Sequence, residues 1–294
     1  MGLTSSTPNI VRYDSEKYYE TPDGKFAFPS IHDKPTLELS VIVPAYNEED
    51  RLPVMLDETV EFLEERYSTH PSYKYEIIIV DDGSRDKTTE VAMKYSLDYG
   101  SDKIRVMTLE RNRGKGGAVR LGMMSARGRN LLMVDADGAT RFSDIKKIEK
   151  KLKEINKHEH GMAIAVGSRA HLEQESISSR SLFRTFLMKA FHLLVWFLCV
   201  RTVKDSQCGF KLFTRPAALV TFLNLHVERW AFDVELLYVA EYLDIPIVEV
   251  AVKWTEIEGS KIVPVFSWIQ MGKDIALIWL QHKLKLWTIK ADIA

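Results

Sequence analysis

The stretch Asn130–Gly138, NLLMVDADG, decides the fold class of this chain of 294 residues. Leu131–Val134 is an uninterrupted apolar run, which is typical of a strand buried on both faces of a parallel sheet. The run stops at Asp135 and Asp137, which are separated by one small residue, Ala136. Two carboxylates this close repel each other unless a cation lies between them, and a hard divalent ion that also contacts phosphates suits that position. The stretch therefore predicts a strand that ends at a metal- and phosphate-binding edge.

A second strand end repeats this pattern. The apolar run Ile77–Val80 leads directly into the acidic, glycine-containing turn Asp81–Ser84. Asp and Gly are also common in solvated turns. Two buried strands with acidic ends, however, place a polar site at the carboxyl edge of an α/β sheet, where ligands bind. We therefore interpret Asp82 as a hydrogen-bonding partner of a nucleotide base or ribose.

The order of predicted elements indicates an α/β fold. Periodicity predicts strands over 39–43, 76–80, 104–109, 131–134 and 162–166, and helices over 52–67, 87–99, 114–126 and 144–155. This alternation favours a doubly wound parallel sheet. Beyond Gly167 the chain becomes more apolar and aromatic, and a loop with a short strand is predicted over 206–215, helices over 228–243 and 266–287, and a strand over 245–254.

Composition excludes several classes of protein. The formal net charge is −1, so the overall basicity typical of nucleic-acid binding is absent, and no nucleic-acid partner is predicted. The chain is 46% hydrophobic and 28% charged, which is ordinary for a globular protein. Its two cysteines, Cys199 and Cys208, cannot form a disulfide framework and favour a reducing compartment.

Two loops carry further candidate ligand contacts. In Pro44–Glu49, PAYNEE, Tyr46 could stack on a base and Glu48 could hydrogen-bond to it, while Asn47 could also cap the following helix. Arg111–Gly117, RNRGKGG, starts a predicted helix, where backbone amides can approach an anion. The alternative for this loop is a helix entry that only needs a glycine with positive φ.

Several sequence blocks resemble known enzymes. Four of them resemble the family 2 inverting glycosyltransferases with the A-type (GT-A) fold: VIVPAYNEE (Val41–Glu49), IVDDGSRDKT (Ile79–Thr88), RNRGKGGAVRLG (Arg111–Gly122) and DADG (Asp135–Gly138). Four later blocks resemble the dolichyl-phosphate β-glucosyltransferases of the polyprenyl-phosphate branch: GSRAHLE (Gly167–Glu173), QCGFKLFTR (Gln207–Arg215), HVERWAFDVELLY (His226–Tyr238) and WTEIEGSK (Trp254–Lys261). The resemblance covers about residues 35 to 280.

The resemblance implies a fold, a reaction and a location. The fold is a doubly wound mixed, Rossmann-like sheet, with an N-terminal arm (1–38), a nucleotide-sugar-binding α/β domain (39–170) and an acceptor-binding region that completes it (171–294). The reaction is inverting transfer of glucose from UDP-glucose to dolichyl phosphate, which gives dolichyl β-D-glucosyl phosphate for lipid-linked oligosaccharide assembly and protein N-glycosylation. A GDP-mannose enzyme of the same branch is the alternative. The implied location is the endoplasmic reticulum membrane, with the active site facing the cytosol.

Residue roles follow from the same resemblance. The implied catalytic residues are Asp137, Arg169 and Asp233. The implied contacts to the nucleotide sugar are Pro44, Tyr46, Glu48, Asp82, Lys115, Asp135 and Ala136. The acceptor phosphate is assigned to Arg169, Arg180 and Lys211, and a Mg²⁺ or Mn²⁺ ion to Asp135 and Asp137. Because a phosphate monoester is largely anionic at neutral pH, no general base is required, and Asp233 is expected to orient sugar or phosphate groups.

The lipid acceptor needs an apolar surface. The segments 183–200 and 266–287 combine aromatic side chains with flanking lysines, which favours amphipathic helices at a membrane interface. No segment reaches the roughly 20 uninterrupted apolar residues of a membrane span. Family members usually begin with a transmembrane anchor that this sequence does not show. Attachment is therefore expected either to depend on the two amphipathic segments or to involve a different start of the chain.

Overall fold

The computed structural model describes residues 10–157, 161–170, 195, 197–257 and 264–291, with only the backbone for 264–269. In chain order the strands are β1 (Tyr18–Thr21), β2 (Gly24–Ala27), β3 (Leu37–Ala45), β4 (Tyr75–Asp81), β5 (Ile104–Thr108), β6 (Gly128–Val134), β7 (Ile164–Ser168), β8 (Phe210–Thr214) and β9 (Ile247–Ala251). The α-helices are α1 (Leu52–Thr69), α2 (Thr88–Tyr99), α3 (Lys115–Met124), α4 (Ile145–Ile155), α5 (Arg215–Leu223), α6 (Phe232–Tyr242) and α7 (Pro264–Lys283).

The central sheet of the described chain is mixed. Its strand order is β5-β4-β3-β6-β8-β7-β9. Strand β8 runs antiparallel to β6 and β7, and the other neighbours are parallel. The mixed sheet implied by the resemblance is confirmed, and the all-parallel sheet favoured by the alternation pattern is wrong for β8. The sequence predicted only a short strand within 206–215 for this region, and the five residues of β8, FKLFT, carry no information about strand direction.

Alternating strand residues build two hydrophobic layers. Ile42 and Ile78 belong to a fully buried cluster that includes residues of α3, α5 and α6. Their neighbours Val41 and Ile77 belong to a second cluster, which includes residues of α1 and α4. Burial on both faces is the reason that the strand sequences read as continuous apolar runs.

Strand β3 continues through Pro44, which the sequence suggested would end it. Its pairing with β6 stops at Ile42, whereas Pro44 still lies opposite Val80 of β4. Because β6 no longer pairs with β3 at Pro44, the missing N–H of the proline interrupts no hydrogen-bond ladder on that side. The strand therefore reaches Ala45. The extension carries the chain to the sheet edge where the acidic loops begin.

The predicted membrane-interfacial helices are only partly covered by the structure. Most of the 183–200 segment, including Phe183, Phe186, Phe191 and Trp196, lies outside the described residues. Trp279 and Trp287 are partly buried against the core, and the interfacial role of the 266–287 segment stays a prediction. The exposed apolar side chains near the end of α7 are leucines: Leu280, Leu284 and Leu286. None of the helices in the described part of the chain has the length and apolar character needed to cross a membrane.

Candidate active site

Asp135 and Asp137 follow the carboxyl end of β6, as the sequence predicts. Burial raises the pKa of Asp137, and the negative charge of Asp135 raises it further. The Oδ1 atom of Asp135 is buried and has no aligned hydrogen-bond donor among the described residues, although Lys115 Nζ lies 2.6 Å away. Two carboxylates one residue apart at a strand end fit the preference of a hard divalent cation for oxygen ligands.

Cationic side chains surround this pair of aspartates. Burial acts to lower the pKa of Lys115, but Asp135, Asp233 and Asp137 together raise it above its ordinary value. The pKa of Arg51 is also raised, because Glu48 and the two aspartates after β6 outweigh the effect of its burial. Both side chains therefore stay charged at the carboxyl edge of the sheet, in position to contact an anionic ligand.

The loop after β3 is held by internal contacts. Arg51 donates from Nε and Nη2 to the two carboxylate oxygens of Glu48, each at 2.6 Å. Asn47 has a φ of 53° and accepts a hydrogen bond at Oδ1 from the Arg85 amide, at 2.8 Å. Helix α1 starts at Leu52 with Arg51 as its N-cap residue, so the expected helix cap by Asn47 is wrong. Tyr46, predicted to contact the base, is half-buried in the same loop.

Asp82 lies against the glycine loop that precedes α3. Its Oδ1 accepts the Arg113 amide at 2.7 Å and its Oδ2 accepts the Gly114 amide at 2.8 Å, and only 3% of the residue is exposed. The anion at this helix entry is therefore the protein's own carboxylate, and Gly114 has a φ of 92°, as the alternative interpretation of this loop requires. Close packing explains the glycine in the first turn of α3, because a Cβ on Gly116 would lie 2.5 Å from Cβ of Phe232.

Lys211 and Asp233 form a buried ion pair. Lys211 Nζ donates to Asp233 Oδ1 and to the Cys208 carbonyl, each at 2.6 Å, and Lys211 has no exposed surface. The structure thus gives Lys211 a partner on α6 instead of the predicted contact with the acceptor phosphate. A buried carboxylate without this partner would be strongly unfavourable, so Lys211 holds the charge of Asp233 in place.

Arg169, just after β7, is paired with Asp205. Its Nε and Nη2 donate to the two oxygens of Asp205, each at 2.8 Å, and its backbone amide donates to Asp205 at 2.9 Å. The Asp205 pairing raises the pKa of Arg169 despite its burial, and Asp135 contributes to that rise. The side chain of Arg169 is 32% exposed. Arg180, the other predicted phosphate ligand, lies outside the described residues.

Gly209, just before β8, lies against the carboxylate of Asp135. An added Cβ would lie 2.0 Å from Asp135 Oδ2 and 2.2 Å from its Cγ. The bare backbone of Gly209 is thus part of the surface that sets the position of Asp135.

Comparison with known proteins identifies the family. Residues 40–219 match the family model described as Glycosyl transferase family 2. The chain belongs to this family. It is 58% identical to the dolichyl-phosphate beta-glucosyltransferase of Homo sapiens, over 99% of this chain and 90% of that protein. It is 40% identical to the Saccharomyces cerevisiae protein of the same name, over 89% of this chain and 80% of that one. The predictions of a glycosyltransferase and of a resemblance to this group are both confirmed.

Solved structures support the same fold. The chain is similar to glucosyl-3-phosphoglycerate synthase from Mycobacterium tuberculosis in complex with Mn²⁺, uridine-diphosphate-glucose and phosphoglyceric acid. The TM-score is 0.53 and the identity 17%, with 84% of this chain and 79% of that chain covered. The predicted GT-A fold of this family 2 glycosyltransferase is thereby confirmed.

Sequence reasoning missed three residues that contact the predicted site residues: Arg51, Asp205 and Gly209. Asp205 and Gly209 lie in or beside the block QCGFKLFTR, and an isolated glycine at a strand end is a known sign of close backbone approach. Nothing in the sequence indicated a role for Arg51, because an arginine at the start of a helix is most often a surface residue.

Asp82 predicts a pH dependence for this enzyme. Burial, opposed by its two amide hydrogen bonds, raises the pKa of Asp82 to about 6. Protonation of Asp82 converts one of its acceptor oxygens into a donor. It therefore weakens the hydrogen bonds that the carboxylate accepts from the Arg113 and Gly114 amides. We therefore expect kcat/KM for the sugar nucleotide to fall below an apparent pKa near 6. The check is a pH–rate profile from pH 5 to 8, in which Asp82→Asn should lower the activity and remove the step.

Loss of stability would not explain such a step. The folded-state pKa of Asp82 lies above the unfolded value of about 3.9, so the native state binds more protons between these values. The contribution of Asp82 to stability therefore increases as pH falls through this window. An Asp82→Asn enzyme that keeps the same step would contradict the assignment.

Proposed function

We propose that this chain transfers glucose from UDP-glucose to dolichyl phosphate with inversion at the sugar carbon, at the cytosolic face of the endoplasmic reticulum membrane. The observation that carries the proposal is the 58% identity to a dolichyl-phosphate beta-glucosyltransferase along 99% of the chain. The site supports it, because paired carboxylates and cationic side chains share one sheet edge.

The donor half of the site is assigned to Asp135 and Asp137. These residues would hold a divalent ion, Mg²⁺ or Mn²⁺, which supplies positive charge to the departing UDP diphosphate. Lys115, 2.6 Å from Asp135 Oδ1, stays charged and adds a second cation beside that diphosphate. The solved synthase with Mn²⁺ and UDP-glucose supports a divalent ion in such a site.

The acceptor half is assigned to Arg169. Its bidentate pairing with Asp205 fixes the guanidinium plane, and Nη1 can donate to an incoming phosphate. That phosphate is already an anion, so the nucleophile needs alignment and charge balance but no general base. The Lys211 partner supports the same conclusion for Asp233, because Asp233 is buried and its Oδ1 already accepts a hydrogen bond from Lys211 Nζ at 2.6 Å.

The lipid tail of the acceptor requires a membrane surface. Leu280, Leu284 and Leu286 are exposed and alternate with the exposed lysines Lys283 and Lys285. Apolar side chains interleaved with cations suit the interface of a bilayer. We assign the end of α7 and the residues after it to that contact.

A two-donor assay tests the proposal. Purified protein is incubated with dolichyl phosphate, Mg²⁺ and either UDP-glucose or GDP-mannose, and the lipid product is quantified. We expect glucosyl lipid from UDP-glucose only. Turnover with GDP-mannose but not UDP-glucose would replace the proposal with the mannosyltransferase alternative, and no lipid product with either donor would refute a dolichyl-phosphate acceptor.

A further inference from the structure

The arm before β1 packs against the glycine loop of the donor site. Its central residue, Glu16, is completely buried although it is a carboxylate. A buried charge of this kind requires specific partners, since desolvation is costly. The partners of Glu16 show what the arm does.

Both oxygens of Glu16 are engaged. Oε1 accepts the Glu110 amide at 3.2 Å, and Oε2 accepts the Tyr13 amide at 3.0 Å and Arg113 Nη2 at 3.2 Å. Arg12 donates from Nε to the Glu16 carbonyl at 2.8 Å. The carboxylate therefore fixes both ends of the Glu110–Arg113 segment to the arm.

A second set of contacts holds the same segment to the arm. The guanidinium carbons of Arg111 and Arg113 lie 4.8 and 5.6 Å from the ring centroid of Tyr13. Cation–π contacts at these distances are attractive. The Ser15 hydroxyl donates to Glu110 Oε1 at 2.6 Å.

The opposite side of this segment holds Asp82. The Arg113 amide donates to Asp82 Oδ1, and Asn112 Nδ2 donates to the Asp82 carbonyl at 3.1 Å. Arg113 thus bonds through its side chain to Glu16 and through its backbone to Asp82. A shift of the Arg113 side chain would move the amide that orients the Asp82 carboxylate.

We infer that Glu16 is a positioning residue for the sugar-nucleotide site, acting through Arg113 on Asp82. This inference depends on the proposed function, in which Asp82 contacts the nucleotide. The arm would thereby influence the affinity for the donor indirectly. No contact between Glu16 and the substrate is needed, because the effect travels through one side chain and one peptide group.

The test is Glu16→Gln, which keeps the shape of the side chain and removes its charge. We expect KM for the donor to rise about tenfold, near the lower end of the range measured for a lost hydrogen bond to a charged group, with kcat nearly unchanged. Glu20→Gln is the matched control, because Glu20 lies four residues further along the chain, in β1, and forms an exposed ion pair with Lys25. Arg113→Lys removes the Nη2 bond from the other side and should give the same rise. The KM of the double variant should be no higher than that of either single variant.

The outcomes separate this inference from the proposed function. Wild-type turnover with UDP-glucose or GDP-mannose tests the function, and the donor that is turned over is then used for the variants. A lowered melting temperature with unchanged KM in Glu16→Gln would mean a purely structural role and overturn the inference. If Glu16→Gln does not fold, unchanged KM in Arg113→Lys would overturn it equally.

Discussion

Asp137→Asn is expected to lower kcat by about a thousandfold, since charge stabilisation of a leaving group by a bound metal amounts to several kcal/mol. The asparagine side chain keeps the shape of the aspartate. Its oxygen can still accept the hydrogen bond that the backbone amide of Ala139 donates to Asp137 Oδ1 at 3.0 Å. It also removes the repulsion that raises the pKa of Asp137 beside Asp135. The fold should therefore survive while transfer is lost. The measurement is kcat with UDP-glucose and dolichyl phosphate, together with the melting temperature.

Asp98→Asn is the matched control, because Asp98 is an exposed carboxylate of α2 in the same half of the protein. It should leave kcat unchanged. Removal of divalent ions with EDTA should reduce the wild-type rate to that of Asp137→Asn, and added Mg²⁺ or Mn²⁺ should restore the wild type alone. Undiminished activity of Asp137→Asn, or of the wild type in EDTA, would contradict the metal assignment.

Local sequence patterns were enough to predict the strand ends and their acidic residues. The runs before Asp81 and Asp135 are continuous and apolar, and the acidic turn follows immediately, so each pattern lies within about ten residues of sequence. The same argument located α1, α2, α3 and α4 to within a few residues. Such elements are decided by neighbours in the chain, which a single sequence shows.

The pairing of charges could not be predicted, because the partners are distant in sequence. Asp82 meets the Arg113 amide from 31 residues away, and Arg169 meets Asp205 from 36. Lys211 is 22 residues from Asp233, and nothing local distinguishes a lysine that is buried in an ion pair from one that faces a ligand. The sequence was therefore enough to predict that these charged residues lie near the site. Which of them remain accessible to substrate depends on pairings that only the fold determines.

Gly209→Ala is expected to lower kcat/KM by about a hundredfold, the cost of moving a catalytic group by roughly 1 Å. The new Cβ would lie 2.0 Å from Asp135 Oδ2, so the carboxylate must rotate away from its position after β6. The backbone of Gly209 does not have the positive φ that would exclude alanine. The free energy of unfolding should therefore change by no more than about 1 kcal/mol. Gly209→Ala should therefore lower the activity without a comparable loss of stability. A general packing defect would lower both.

A double-mutant cycle decides whether Asp135 carries this effect. In an Asp135→Ala background the carboxylate is gone, so Gly209→Ala should cost nothing further, whereas independent sites would show additive losses. Mn²⁺ titration in the presence of UDP provides a second readout, because the displaced carboxylate should weaken metal binding in Gly209→Ala as it does in Asp135→Ala. An additive cycle, or wild-type Mn²⁺ affinity in Gly209→Ala, would mean that the glycine acts on the site by a route other than Asp135. The expected non-additivity would instead identify the bare backbone at residue 209 as the surface that holds Asp135, the first of the two proposed metal ligands, in place.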